Sequence, residues 1–259
     1  MQIDPTVIAE IRHLHRQREF SMVQRKRAHL SLGAFIRTNL GWTKDGDEKA
    51  NSEIRKMAAD MIADKADRGE FAPIIESAQM AVEPFEKIEH DCLKSMTKLA
   101  KALPVWIEWG EGIKGFGAAS LARIVGEAGD LSIYPKKGHL WKRMGLAVID
   151  GTAQGRPPKG ATAADWIERG YNPKRRSIMF QIGDPLIKCH GPYREIYLER
   201  KAYERSRAEM IGLQVVPSAK IPRKDADAYM SDGHIHNRAQ RYMEKRLLRD
   251  LHREWRALA

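Results

Sequence analysis

Apolar residues that return every third and fourth position dominate this sequence, and strict alternation of apolar with polar residues is scarce. A side chain comes back to one face of an α-helix at that spacing, whereas a strand turns successive side chains to opposite faces. The chain is therefore expected to be all-α. The clearest instance is residues 234–258, where Ala239, Tyr242, Met243, Leu247, Leu251, Trp255 and Leu258 share a face. Arg238, Arg241, Lys245, Arg246, Arg249, Arg253 and Arg256 fill the other side and predict a second basic surface. Residues 47–68 carry the period at Ile54, Met57, Ala58, Met61 and Ile62, and residues 73–103 carry it from Ile74 to Leu103. Pro84 is expected to interrupt the latter run and Pro104 to stop it. Met57, Met61, Met80 and Met96 read as helix-on-helix core rather than as an adaptable groove. Residues 6–40 read as two short helices around Arg25, Lys26 and Arg27, closed by the turn GWTKDGDE. Together these runs give a basic helical segment at 1–46, a long helical hairpin at 47–104 and a further domain at 105–259.

Within that last domain, residues 174–188 and 195–210 are helical in pattern, and VVPSAKIPRKD connects them to the final helix. Short helices alternate with loops between residues 131 and 173. Residues 151–162, rich in glycine and proline with no large apolar side chain, are expected to form an exposed, mobile loop.

The chain has 259 residues, with 45 Lys+Arg against 34 Asp+Glu and a formal net charge of +11. Such a field attracts polyanions, of which nucleic acid is the commonest large one in a cytoplasm. Hydrophobic residues make up 42%, enough for a core, but no apolar run approaches the roughly 20 residues of a bilayer span. The charged amino terminus predicts no signal peptide. Cys92 and Cys189 stand alone, without metal-ligand spacing, as in a reducing compartment. These features predict a cytoplasmic protein with no membrane partner, no metal and no cofactor, and no Walker loop or dinucleotide fingerprint is present.

The most informative stretch is WGEGIKGFGAASLARIVGEAGD, residues 109–130. A helical segment ends in glycine, a tight Gly115-Phe116-Gly117 turn follows, and a new helix runs through Ala118, Leu121, Ala122, Ile124 and Val125. This is a helix-hairpin-helix signature. Glycines accept positive φ and carry no Cβ, so the peptide can approach a surface. The free amides of the turn and of the next helix's first residues then face outward at the positive end of a helix dipole, where a phosphate oxygen fits. Lys114 and Arg123 add charge, and Ser120 can donate a hydrogen bond to the same backbone. Lys142, Arg143, Arg169, Lys174, Arg175 and Arg176 extend the expected track, and residues 136–188 hold eleven Lys or Arg against four Asp or Glu. Tyr134, Trp141, Trp166 and Tyr171 lie among them as candidates for stacking on bases, with Trp141 read as core. Contacts to phosphates read no bases, so binding should depend weakly on sequence and steeply on salt.

The run GIKGFGAASLARIVGEAGDLSIYPKKGHLWKRMGL resembles the start of the carboxy-terminal domain of the insertion-sequence transposases of the one-hundred-and-ten, one-hundred-and-sixteen and nine-hundred-and-two families. In these a G-x-G hairpin, a helix, a G-D and a short F/Y-P segment precede a second helix ending in G-L. The likeness continues through RGYNPKRRSIMFQIGDPLIK and covers roughly residues 103–188. It implies a transposase-like DNA-binding protein of a mobile element or prophage, taking part in transposition or recombination. Full members also carry an RNase H-type domain whose acidic residues bind two metal ions, and a serine nucleophile in the loop after G-L. This chain departs from both. Its Asp60, Asp64 and Asp67 sit on a solvated helix face, and the loop GLAVIDGTAQG offers only Thr152, a poor nucleophile, so no catalytic residue is expected beyond that candidate. His234 and His236 near Asp232, like His13 and His15, read as polar helix residues rather than metal ligands. DNA is the expected partner. Two further readings follow from the resemblance: an active recombinase that uses Thr152 or a partner's acidic residues, and an RNA-binding or interaction protein, because relatives are guided by structured RNA. A homo-oligomer is compatible with each.

Overall fold

The computed structural model describes residues 3–222 and 226–259. Residues 223–225, part of the proline-bearing connection, lie outside the described residues. The chain is 73% helical and 4% strand, as the apolar spacing requires, and no described helix is long and apolar enough to cross a membrane. It divides into two compact units, residues 14–95 and residues 1–13 with 96–259.

The unit of residues 14–95 is helical. Helix α1 (Pro5–Asn39) is continuous where two short helices were expected. No proline interrupts it, and Arg and Lys are good helix formers, so a basic cluster does not end a helix. From this cluster Arg25 makes a two-pronged contact with Glu89, at 2.7 and 3.1 Å. Asp47 caps α2 (Glu48–Ile62) by accepting from the Ala50 amide. Helix α3 (Ala72–Lys101) runs through Pro84 without a break. Pro84 is exposed, as is Met80 one turn earlier, so the carbonyl that loses its amide partner can bond water. Leu32, Ile36, Ala58, Phe71 and Ile75 form the core, with Met61 packed against it. Met96 is fully buried, but Met57 and Met80 are 46% and 74% exposed. The core reading of the methionines thus fails for two of the four, because these two lie off the narrow face that the neighbouring helices cover.

In the other unit, Pro104 opens a helix as well as closing one: α4 (Pro104–Glu108) has it in its first turn. A 3-10 turn at Gly110–Gly112 leads to α5 (Ala118–Ala128). Gly129 ends α5 with φ 78°. Asp130 then accepts from the Ser132 amide at 2.9 Å and from the Trp255 indole at 2.8 Å. Burial opposes ionisation of Asp130, yet these hydrogen bonds outweigh it and hold the carboxyl below its ordinary range. The G-D pair is therefore a structural joint. After α6 (Lys137–Arg143), strands β1 (Val148–Ile149) and β2 (Thr152–Ala153) pair antiparallel across Asp150-Gly151. Both turn residues have positive φ, the conformation that favours Asp-Gly in a two-residue hairpin. Next come α7 (Ala163–Arg169), α8 (Pro173–Lys188) and α9 (Pro192–Met210). The short strands β3 (Gln214–Val216) and β4 (Tyr229–Ser231) pair in parallel before α10 (Asp232–Ala257).

Helix α10 is the hub of this unit, packed against α9, α8 and α6. Ile235, Met243, Leu247, Leu251 and Trp255 are fully buried. Only part of its expected basic surface is spent within the fold, and Arg238, Arg253 and Arg256 stay exposed. Arg241 donates to the carbonyls of Gly145 and Gln154 at 3.0 and 2.8 Å, Arg238 pairs with buried Glu204, and Arg256 donates to the Pro135 carbonyl. Arg241, the half-buried one of these, is turned inward to satisfy carbonyls at the end of α6 and in the hairpin.

Candidate nucleic-acid interface

The turn before α5 separates its two glycines by role. Gly115 has φ +86°, and a Cβ there would lie 2.7 Å from the Pro185 carbonyl oxygen and 3.0 Å from Leu186 Cα. Its bare side faces α8. Phe116 is 3% exposed, with its ring centroid 6.3 Å from that of Trp106 and 5.9 Å from that of Trp109. The expectation that both present themselves to a phosphate is corrected: they pack the corner against the unit's interior. Gly117 is exposed with φ −86°, and nothing lies within 4 Å of the Cβ it lacks. The first amides to close α5 are those of Ser120 and Leu121, both bonded to the Gly117 carbonyl at 2.8 and 3.3 Å. No hydrogen bond occupies the amides of Gly117, Ala118 and Ala119 among the described residues. These are the orphan donors of a helix start, and Ser120 sits half-buried behind them.

The expected basic track divides in the same way. Arg123 donates to the Gln181 side chain at 2.6 Å. Arg143 donates twice to the Glu127 carbonyl, at 3.0 and 2.7 Å, and burial followed by the neighbouring Arg175 charge lowers its pKa. Arg175 pairs with the Glu127 carboxylate at 2.8 Å, and Arg176 with the fully buried Glu244 at 2.7 Å. These four arginines join α5, α6, α8 and α10 to one another. Lys114, Lys142, Arg169 and Lys174 are exposed.

Two residues without a sequence motif position part of that exposed set. Gln154, 3% exposed, donates to the Lys142 carbonyl at 3.1 Å and the Arg169 carbonyl at 2.9 Å, and accepts from the Ala147 amide. It ties the ends of α6 and α7 to the hairpin, so the loop expected to be mobile is pinned at its start. Arg241 reaches the same place from α10. Asn172 caps α8 by accepting from the Lys174 and Arg175 amides, which fixes the backbone that carries Lys174. The signal for the α10 members was present in the sequence: Gln240, Glu244 and Leu248 repeat every four residues beside Ala239, Met243 and Leu247, which doubles the buried face.

Burial pushes the Glu244 carboxyl up to about 7, against the opposing pull of Arg176. Glu244 Oε1 has no hydrogen-bond partner, so the pair is only partly satisfied.

Thr152 is exposed and lines a cleft of about 260 Å³ with Asp150, Asp165 and Glu168. Asp165 is committed to a capping box with Thr162, and no hydrogen bond joins Thr152 to a carboxylate among the described residues. No group of three or more His, Cys, Asp or Glu side chains is placed to hold a metal ion among the described residues. His236 lies 2.8 Å from the Tyr197 hydroxyl through Nδ1, the His234 amide bonds the Ser231 cap, His13 is exposed and His15 is buried. Of the aromatics named as stacking candidates, Tyr134 donates to the Ala128 carbonyl and Trp141 to the Lys245 carbonyl, while Trp166 and Tyr171 are half-buried.

Comparison with known protein families, with curated proteins and with solved structures finds no match for the chain.

Proposed function

We propose that the chain is a DNA-backbone-binding protein of the transposase-like kind, belonging to a mobile element or prophage, and that it holds duplex phosphates without cutting them. One observation carries the reading: the open start of α5, where the amides of Gly117, Ala118 and Ala119 meet no internal acceptor and no side chain covers Gly117. In this reading α4 with its 3-10 turn and α5 are the two arms of a helix-hairpin-helix. The dipole of the eleven-residue α5 adds partial positive charge at its start. A phosphate oxygen there gains amide donors and a helix dipole together. Lys114, Lys142, Arg169 and Lys174 supply the longer-range field, and the net charge of +11 favours any polyanion over water. The likeness of residues 103–188 to the transposase carboxy-terminal domain supplies the biological setting. The lack of a serine in the loop after G-L supports a role in holding DNA.

The test is binding of the full chain to short duplexes of unrelated sequence. A bulky side chain at position 117, as in Gly117→Leu, should weaken all of them alike by about tenfold, the loss of one or two charge-assisted contacts. Unchanged affinity in that variant overturns the assignment of the site.

A further inference from the structure

Helices α9 and α10 carry a second surface of different chemistry. The Arg200 guanidinium lies against two rings, its carbon 4.6 Å from the Tyr203 centroid and 4.7 Å from that of Tyr242. Buried Glu204, one turn along α9, pairs with Arg200 and at 3.3 Å with Arg238. Arg246 donates to the Tyr242 hydroxyl at 2.7 Å and faces the same ring at 5.1 Å. Tyr203, Arg200 and Tyr242 thus form a cation-and-ring cluster, and Tyr203 in it is 53% exposed. Beside the cluster is a recess of about 190 Å³, lined by Ile196, Glu199, Arg200, Tyr203 and Tyr242.

We infer that this recess takes an unpaired base of a single DNA strand, stacked on Tyr203 with its edge toward Glu199. The inference rests on the reading of the chain as a DNA-binding protein but uses other side chains than those of the phosphate site. Three observations select a base. The recess is smaller than the roughly 300 Å³ at which drug-sized pockets begin, so it suits one flat ring system. An exposed tyrosine backed by a guanidinium is the platform on which bases stack irrespective of sequence. Glu199 is exposed and has no ion-pair or hydrogen-bond partner among the described residues, while the Arg200 charge is already matched by Glu204. A free carboxylate repels a phosphate, but it accepts hydrogen bonds from the N–H groups on a base edge. A base within a duplex has both faces covered and its pairing edge occupied, so the recess discriminates unpaired from paired DNA.

The experiment uses the full chain with three probes: a short single-stranded DNA carrying one 2-aminopurine, the matching duplex, and a single-stranded RNA of the same sequence. The wild-type chain should quench 2-aminopurine in the DNA strand. Tyr203→Ala should abolish the quenching and weaken single-strand affinity about tenfold, leave duplex affinity unchanged, and be rescued by Tyr203→Trp. Tyr203 is exposed, so these variants leave the core intact. Equal loss for strand and duplex, or no effect of Tyr203→Ala on either, overturns the inference. Tighter, Tyr203-dependent binding of the RNA strand overturns the assignment to DNA. Duplex binding that fails in Gly117→Leu while the Tyr203 effects persist supports both sites separately. Strand binding through Tyr203 with no duplex binding sinks only the phosphate site.

Discussion

Gly115 and Gly117 stand two residues apart in one motif and do unlike things. At Gly115 both the positive φ and the contact with the Pro185 carbonyl exclude a side chain, so Gly115→Ala should lower the melting temperature by several degrees. Gly117→Ala meets open space at an ordinary φ and should leave the melting temperature unchanged while weakening duplex binding. Thermal unfolding and duplex titration of the two variants separate these outcomes. Glu244 makes a second prediction at this scale. Its folded pKa of about 7 lies above the 4.5 of an ordinary glutamate. The folded state therefore holds the proton more tightly, and this contribution to stability is complete below pH 4.5 and disappears as the pH rises through 7. The Glu244 contribution, on the order of 3 kcal/mol, should be lost between pH 5 and pH 8, against the opposite trend of His234 and His236, whose pKa values burial lowers, so the melting-temperature difference between the wild type and Glu244→Gln should carry that slope. Asp130, whose pKa is lowered, acts in the opposite sense but only below the ordinary carboxylate range, outside this window.

Among the elements, the hairpin and α7 depend on a few buried polar groups rather than on a core of their own. Gln154→Ala leaves the Arg169 carbonyl and the Ala147 amide without a partner and removes one donor from the Lys142 carbonyl, which keeps the Gly145 amide. It should cost roughly 3 kcal/mol and raise amide exchange across β1, β2 and α7, with α8 and α10 unchanged in exchange. The sequence disclosed the helices because helix formation follows from local period, and α10 was legible nearly to the residue. It disclosed less where a tertiary partner decides. Pro84 ends no helix because the carbonyl it leaves unpaired is solvated, and Arg241 of α10 is drawn inward by the Gly145 and Gln154 carbonyls while Arg253 stays exposed. The Asp-Gly hairpin was legible and escaped notice among the surrounding glycines and prolines. In the candidate site, the turn itself could be read from its glycines, but which of them faces outward depends on α8, seventy residues further along the chain. The sequence likewise could not show that four arginines of the basic track would be held by Gln181, Glu127 and Glu244.

For the whole molecule, the net charge of +11 sets the long-range attraction, while four arginines of the expected track are bonded within the fold. The exposed members of the track are Lys114, Lys142, Arg169 and Lys174. Neutralising about four phosphates gives a slope near −3.5 in log affinity against log salt on duplex DNA, and replacing Lys142 by alanine should flatten it by about one. Arg175→Ala, by contrast, should lower stability through Glu127 and leave the slope unchanged. The most direct measurement is the duplex affinity of the wild-type chain and of Gly117→Leu, titrated across salt on unrelated sequences. Phosphate capture at the start of α5 requires one steep line shared by all sequences for the wild type and a parallel line about tenfold weaker for the variant. Coincident lines for the two proteins, or affinity that ignores salt, would contradict it.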